Sequence, residues 1–209
     1  MNKLLRTALV LGIITVVYNL IEGVVSVIFG SKEGTLALLG FGIDSFVEVI
    51  SGIGIIHMIM RMKVSAVTDR DKFERTALII NGSAFYLLTA GLAAGSILNL
   101  INNIQPSTTV AGIIISVISI GTMYYLMKAK IKTGKALNSD AILADAECTK
   151  TCFYLSFILL LSSGFYEILR IGYFDILGSL GIAYYAFKEG RESFEKSKSH
   201  NLSCGCEDD

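Results

Sequence analysis

Asp44 and Glu48 stand four residues apart, and so do Cys148 and Cys152. Carboxylates and thiols ligate metals once deprotonated. A four-residue step stacks two side chains on one helix face, about one turn apart. Both pairs lie inside stretches apolar enough to span a membrane. A carboxylate at that depth costs roughly 2.5 to 3.5 kcal/mol on insertion scales, so an acid kept there is a candidate for function. Two carboxylates and two thiolates would form a four-coordinate shell of the kind zinc accepts. Thiolates shift the preference toward soft ions such as cadmium or Cu(I). Loading such a site releases protons from its ligands, so proton–metal exchange is the expected mechanism.

The elements that must position these pairs are membrane helices. The chain has 209 residues, of which 53% are hydrophobic, with no Trp and one Pro, and its mean hydropathy is +0.61. Long apolar blocks begin near Leu5, Thr35, Thr76, Thr108, Asn138 and Ile171. A hydrocarbon core of about 30 Å needs about 20 apolar residues per helix. The spacing predicts an all-α integral membrane protein with six transmembrane helices, over 5–29, 35–60, 76–100, 108–127, 138–163 and 171–187. Residues 61–75 read as a short cytoplasmic connector, and Gly91 and Gly95 as a small-residue pair for close helix approach. A transmembrane domain over 1–190 and a polar, cysteine-containing cytoplasmic tail over 191–209 leave no room for a second soluble domain. The first block follows Lys3 and Arg6 as a signal peptide would, yet it runs to Gly30 without a small-residue cleavage pattern; it reads as a retained helix.

The formal net charge is zero, and no nucleic-acid partner is expected. Its distribution is uneven. Lys and Arg crowd the N-terminus, the 61–75 connector, the segment Lys128 to Lys135 and the tail from Lys188, whereas the alternate connections carry only Lys32 and Arg170. The positive-inside rule then places both termini in the cytoplasm. On that topology Asp44 and Glu48 lie roughly 14 and 20 Å below the outer surface, and Cys148 and Cys152 roughly 15 and 21 Å above the inner one. The two pairs meet near the midplane, where transporters bind substrate.

Other residues compete for roles around that site. Asn19, Glu22, Asp145 and Asp175 are candidates for a pathway or for supporting the ligands; for Glu22 and Asp175 an outer exit path and hydration at a helix end weigh equally. His57, beside Met58, Met60 and Met62, and the Cys204-Gly-Cys206 tail could capture soft metals on the cytoplasmic side; against this stand lipid-facing packing and a solvated tail. The competing reading of Cys148 and Cys152 is as small apolar fillers, which their i,i+4 spacing beside Asp145 and Glu147 weakens. Two other functions use the same residues: a membrane thiol oxidoreductase working through Cys148 and Cys152, and a membrane protein that binds metal without moving it.

The motifs also carry a resemblance. GTLALLGFGIDSFVEVISG resembles the second helix of the cation diffusion facilitators, with Asp44 at the first acidic ligand and Glu48 at the second. ALNSDAILADAECTKTC resembles the family's fifth helix, with Cys148 at its His position and Cys152 at its Asp position. Asp175, in GYFDILGSLGIAYYAF, matches an aspartate near the start of the sixth helix. Within that family the chain looks closer to a short branch without the cytoplasmic metal-binding domain, in which YNLIEGVVSVIFG, GFGIDSFVEV and KEGRES recur. The resemblance implies a transporter rather than an enzyme, six helices with cytoplasmic termini, a homodimer, and export of zinc or a related divalent ion against protons. No resident cofactor is expected, since the metal is cargo. The short, unprocessed form points to a bacterial-type inner membrane.

Overall fold

The computed structural model describes residues 3–61, 70–137 and 140–198. Six helices follow one another: α1 (Lys3–Glu33), α2 (Leu36–Arg61), α3 (Arg70–Asn102), α4 (Val110–Leu137), α5 (Asp140–Leu169) and α6 (Tyr173–Lys198). Among the described residues there is no strand. That outcome follows from the medium: in hydrocarbon each backbone N–H and C=O must be satisfied within the segment, and a helix does so.

Among the described residues, stretches long and apolar enough to cross a membrane occur in five helices, over Leu4–Glu33, Leu36–Gly54, Gly82–Asn102, Val110–Leu137 and Cys148–Leu169. α6 falls short of that measure, because its apolar stretch ends at Phe187 and charged residues follow. It is nonetheless part of the bundle. Ile182, Ala183 and Ala186 of α6 pack with Leu38 and Phe41 of α2, Leu88 and Leu92 of α3, and Leu155 and Leu159 of α5 in the main core.

Polarity is distributed as lipid demands. Leu87, Tyr125 and Ile168 are 75%, 75% and 79% exposed, while Asn19, Ser26, Ser45, Ser119 and Ser156 are fully buried. An apolar exterior of this extent would be a liability in water and is the ordinary state against acyl chains. The most extensive pairings join α1 to α2, α3 to α6 and α4 to α5, and α2 also touches α3, α5 and α6. Gly34, with φ at 73°, turns the chain between α1 and α2. Those two helices then run close together: a Cβ at Gly42 would stand 2.8 Å from Ser26 Cβ and 2.9 Å from the Val27 nitrogen.

Several boundaries differ from expectation. α3 begins at Arg70, inside the stretch read as a connector. α4 continues to Leu137, so Lys128, Lys130, Lys132 and Lys135 are helical rather than a loop. No helix-breaking residue stops it, and its buried stripe of Ser119, Met123, Leu126, Lys130 and Thr133 keeps a helical period past the apolar block. α6 runs unbroken through Lys198, into the segment expected to be tail. Gly95 does approach Leu36 of α2, but among the described residues no neighbouring helix comes within 4 Å of where a Cβ at Gly91 would stand. Cys204 and Cys206 lie outside the described residues.

Candidate metal centre

α2 carries Asp44 and Glu48 one turn apart, and α5 brings Cys152 against them. One carboxylate oxygen from each acid and the Cys152 sulfur all lie within 4.8 Å of one another. Cys152 Sγ is 4.0 Å from Asp44 Oδ2. Asp44 and Cys152 are buried, and Glu48 is half-buried. Two acids and a thiol from facing helices thus converge with no Lys or Arg among the three, an arrangement suited to a cation.

Cys148 is exposed and stands outside this group. Four residues overshoot a full helical turn by about 40°. Asp44 and Glu48 share that offset and both remain in the group, so the cysteines are separated by how α5 is turned about its axis, with Cys152 toward α2. The thiol nearest the acids is therefore Cys152 alone among the described cysteines.

α1 supplies the polar surroundings. Asn19 Nδ2 donates to Glu48 Oε2 at 2.6 Å. One turn further along α1, Glu22 accepts from the Tyr18 hydroxyl at 2.9 Å and from the Ser45 hydroxyl at 3.3 Å. Ser156 of α5 donates to Ser119 of α4 at 2.9 Å, and Ser119 lies within hydrogen-bonding reach of Glu22. Asn19 and Glu22, both singled out from the sequence, flank the cluster at the meeting of α1, α2, α4 and α5.

The other sequence candidates are engaged elsewhere. Asp145 forms a 2.9 Å ion pair with Lys130, whose side chain is buried. Lys130 also donates to the Thr149 hydroxyl at 2.9 Å. Asp175 reaches from α6 to the start of α2, where its oxygens accept the backbone N–H groups of Leu36 at 2.9 Å and Ala37 at 3.2 Å. His57 is half-buried on α2, thirteen positions after Asp44 in the chain. Sequence reasoning missed Lys130, Ser45, Ser119 and Ser156. Lys130 was detectable in principle, because it continues the helical period of Ser119, Met123 and Leu126; a serine on such a stripe does not stand out as a charge does.

Six packed helices, polar within and apolar without, around a buried group of cation ligands define a multi-pass integral membrane protein. The chain matches the cation efflux transmembrane domain over residues 8–200 and belongs to that family. It is therefore a transmembrane transporter of metal cations, and the family's members are transporters rather than enzymes. No curated protein matches the chain in direct sequence comparison.

Proposed function

We propose that this protein exports a divalent metal ion, zinc or a close relative, by binding it at Asp44, Glu48 and Cys152 and exchanging it for protons. The observation that carries the reading is the convergence of three ligand atoms within 4.8 Å inside a cation efflux domain. Carboxylates and a thiol bind as anions, so loading the site releases protons and a proton gradient can drive exchange. The charge distribution of the connections supports cytoplasmic termini. With the site between α2 and α5, alternating access requires those helices to part first on the cytoplasmic side and then on the other. The resemblance described above supports a homodimer in a bacterial-type inner membrane.

A thiol oxidoreductase fits the geometry less well. Its two sulfurs would need to react with each other, and here Cys152 is buried while Cys148 is exposed. The test is a panel of zinc, cadmium, manganese and cobalt in proteoliposomes with an imposed pH gradient and a metal-sensitive dye inside. Flux in the parent, lost in both Asp44→Ala and Cys152→Ser, is the expected result. If the two variants carry every ion as the parent does, the site is wrong. Binding without flux in the parent would favour a metal-binding membrane protein that does not transport.

A further inference from the structure

We propose that Asn19 completes the metal site, its amide oxygen acting as the fourth ligand beside Asp44, Glu48 and Cys152. The inference rests on the metal reading of those three residues. Three protein ligands fall one short of the closed four-coordinate shell that zinc-like ions favour, and Cys148 stands outside the group. Asn19 is fully buried. Its Nδ2 donates to Glu48 Oε2 at 2.6 Å. Its Oδ1 is also buried, yet accepts no hydrogen bond from any described residue.

The orientation of that amide follows from chemistry. With metal bound, Glu48 is ionised and its carboxylate only accepts, so in that state the amide nitrogen faces it and the oxygen points elsewhere. The two amide atoms share one carbon, so an oxygen whose nitrogen touches a ligand cannot be far from that ligand. Buried acceptors without a partner are rare in folded proteins, and each asks for the group that satisfies it. A cation in the cluster would satisfy this one. Ser26 and Ser163 also hold buried oxygens without a described partner, but neither hydrogen-bonds a residue of the cluster.

The packing explains how α1 comes so near. Gly42, two residues before Asp44, lets the α1 backbone at Val27 approach α2 closely enough that even one methyl group would collide. Asn19 sits two turns below that contact on α1, facing Glu48. One amide could then hold a metal through its oxygen while its nitrogen fixes the neighbouring carboxylate, joining two roles that metal sites usually divide between residues.

The consequence is a change in the ion preferred. Two thiolates and two carboxylates would suit soft ions, whereas three oxygens and one thiolate suit borderline divalent ions such as zinc and cobalt better than Cu(I).

The test uses the full-length protein in detergent with Co(II) as the probe, read by absorption. Bound Co(II) in the parent should show a sulfur-to-metal charge-transfer band and the intense visible bands of four-coordination. Asn19→Ala should bind Co(II) more weakly by at least the roughly 10- to 100-fold typical of outer-shell partners, with weaker visible bands as water raises the coordination number. Asn19→Asp keeps an oxygen at the position but removes the N–H donor; it should retain the four-coordinate bands. The proposal is overturned if Asn19→Ala matches the parent in affinity and spectrum. It is equally overturned if Asn19→Asp is as damaged as Asn19→Ala, since Asn19 would then act only by orienting Glu48. Loss of the charge-transfer band in Cys152→Ser, with Asn19→Ala unaffected, would leave the three-residue site standing and remove the fourth ligand alone. A parent that binds no Co(II) would sink both readings. Should Asn19→Ala fail to give a monodisperse protein, the comparison of Asn19→Asp with the parent decides the matter.

Discussion

Lys130 of α4 and Asp145 of α5 form an ion pair of 2.9 Å, and the lysine side chain is only 1% exposed. Its ammonium also donates to Thr149, three residues before Cys152. A charge pair buried this deeply pays heavily in desolvation, and removing one partner leaves the other uncompensated, typically at about 3 to 5 kcal/mol. Lys130→Met should therefore destabilise the protein by about that amount. The double variant Lys130→Met/Asp145→Leu should recover most of the loss, because a well-packed apolar pair often equals a buried ion pair. Thermal loss of monodisperse protein in detergent, followed by size exclusion, measures both. A single variant as stable as the parent would show that the pair is not held in the folded protein.

Asp175, which the sequence groups with Asn19, Glu22 and Asp145 as a candidate for the pathway or for supporting the ligands, is held at the start of α2 instead. Both its oxygens accept backbone N–H groups at the start of α2, where the helix dipole favours an anion. The matching prediction is structural. Asp175→Ala should cost about 1 to 2 kcal/mol of stability, and metal affinity per folded molecule should stay within about twofold, well inside the roughly tenfold floor for outer-shell partners. Titration with Co(II) checks the second part. A loss of affinity like that of Asp44→Ala would instead return Asp175 to the metal pathway.

These two residues mark how far the sequence could be read. Asp44 and Glu48 were legible because acids at membrane depth are conspicuous and a four-residue step keeps them on one face. Their meeting with Cys152 followed from helices entering from opposite sides and reaching the same height. Cys148 was not separable from Cys152 by spacing, since the outcome depends on the rotation of α5 about its axis. Lys130 was hidden by counting apolar residues: the block ends at Met127, but the helix and its buried stripe continue. The Asp175 contact bridges 139 residues to Leu36 and depends on how α6 lies against α2. The same holds for the buried oxygen of Asn19, whose exposure is set by α1–α2 packing.

That packing gives a third prediction. A Cβ at Gly42 would come within 2.9 Å of the α1 backbone at Val27, where nothing flexible can give way. Overpacking of this kind costs about 1 to 3 kcal/mol. Gly42→Ala should lower stability by that amount and also weaken metal binding, because α1 must move away and carry Asn19 from Glu48. Stability and Co(II) affinity measured on the same preparation check the coupling. Reduced stability with full affinity would mean that α1 yields elsewhere and Asn19 keeps its place.

The two cysteines give the sharpest contrast in the molecule. Cys152 is buried with its sulfur 4.0 Å from Asp44, and Cys148 is exposed outside the group. Replacing a sulfur ligand by a hydroxyl weakens soft ions most. Cys152→Ser should therefore lower cadmium affinity by more than the roughly 10- to 100-fold typical of outer-shell partners, with a smaller loss for manganese. Cys148→Ser should leave both within about twofold of the parent, below that outer-shell range. Competition against a metal-sensitive dye measures all four values in a Cys204→Ser/Cys206→Ser background, which removes the other two thiols. Equal losses at both cysteines would restore the four-ligand set that the spacing alone suggests. Equal losses of cadmium and manganese in Cys152→Ser would instead point to a packing defect, since only a direct sulfur–metal bond distinguishes a soft ion from a hard one.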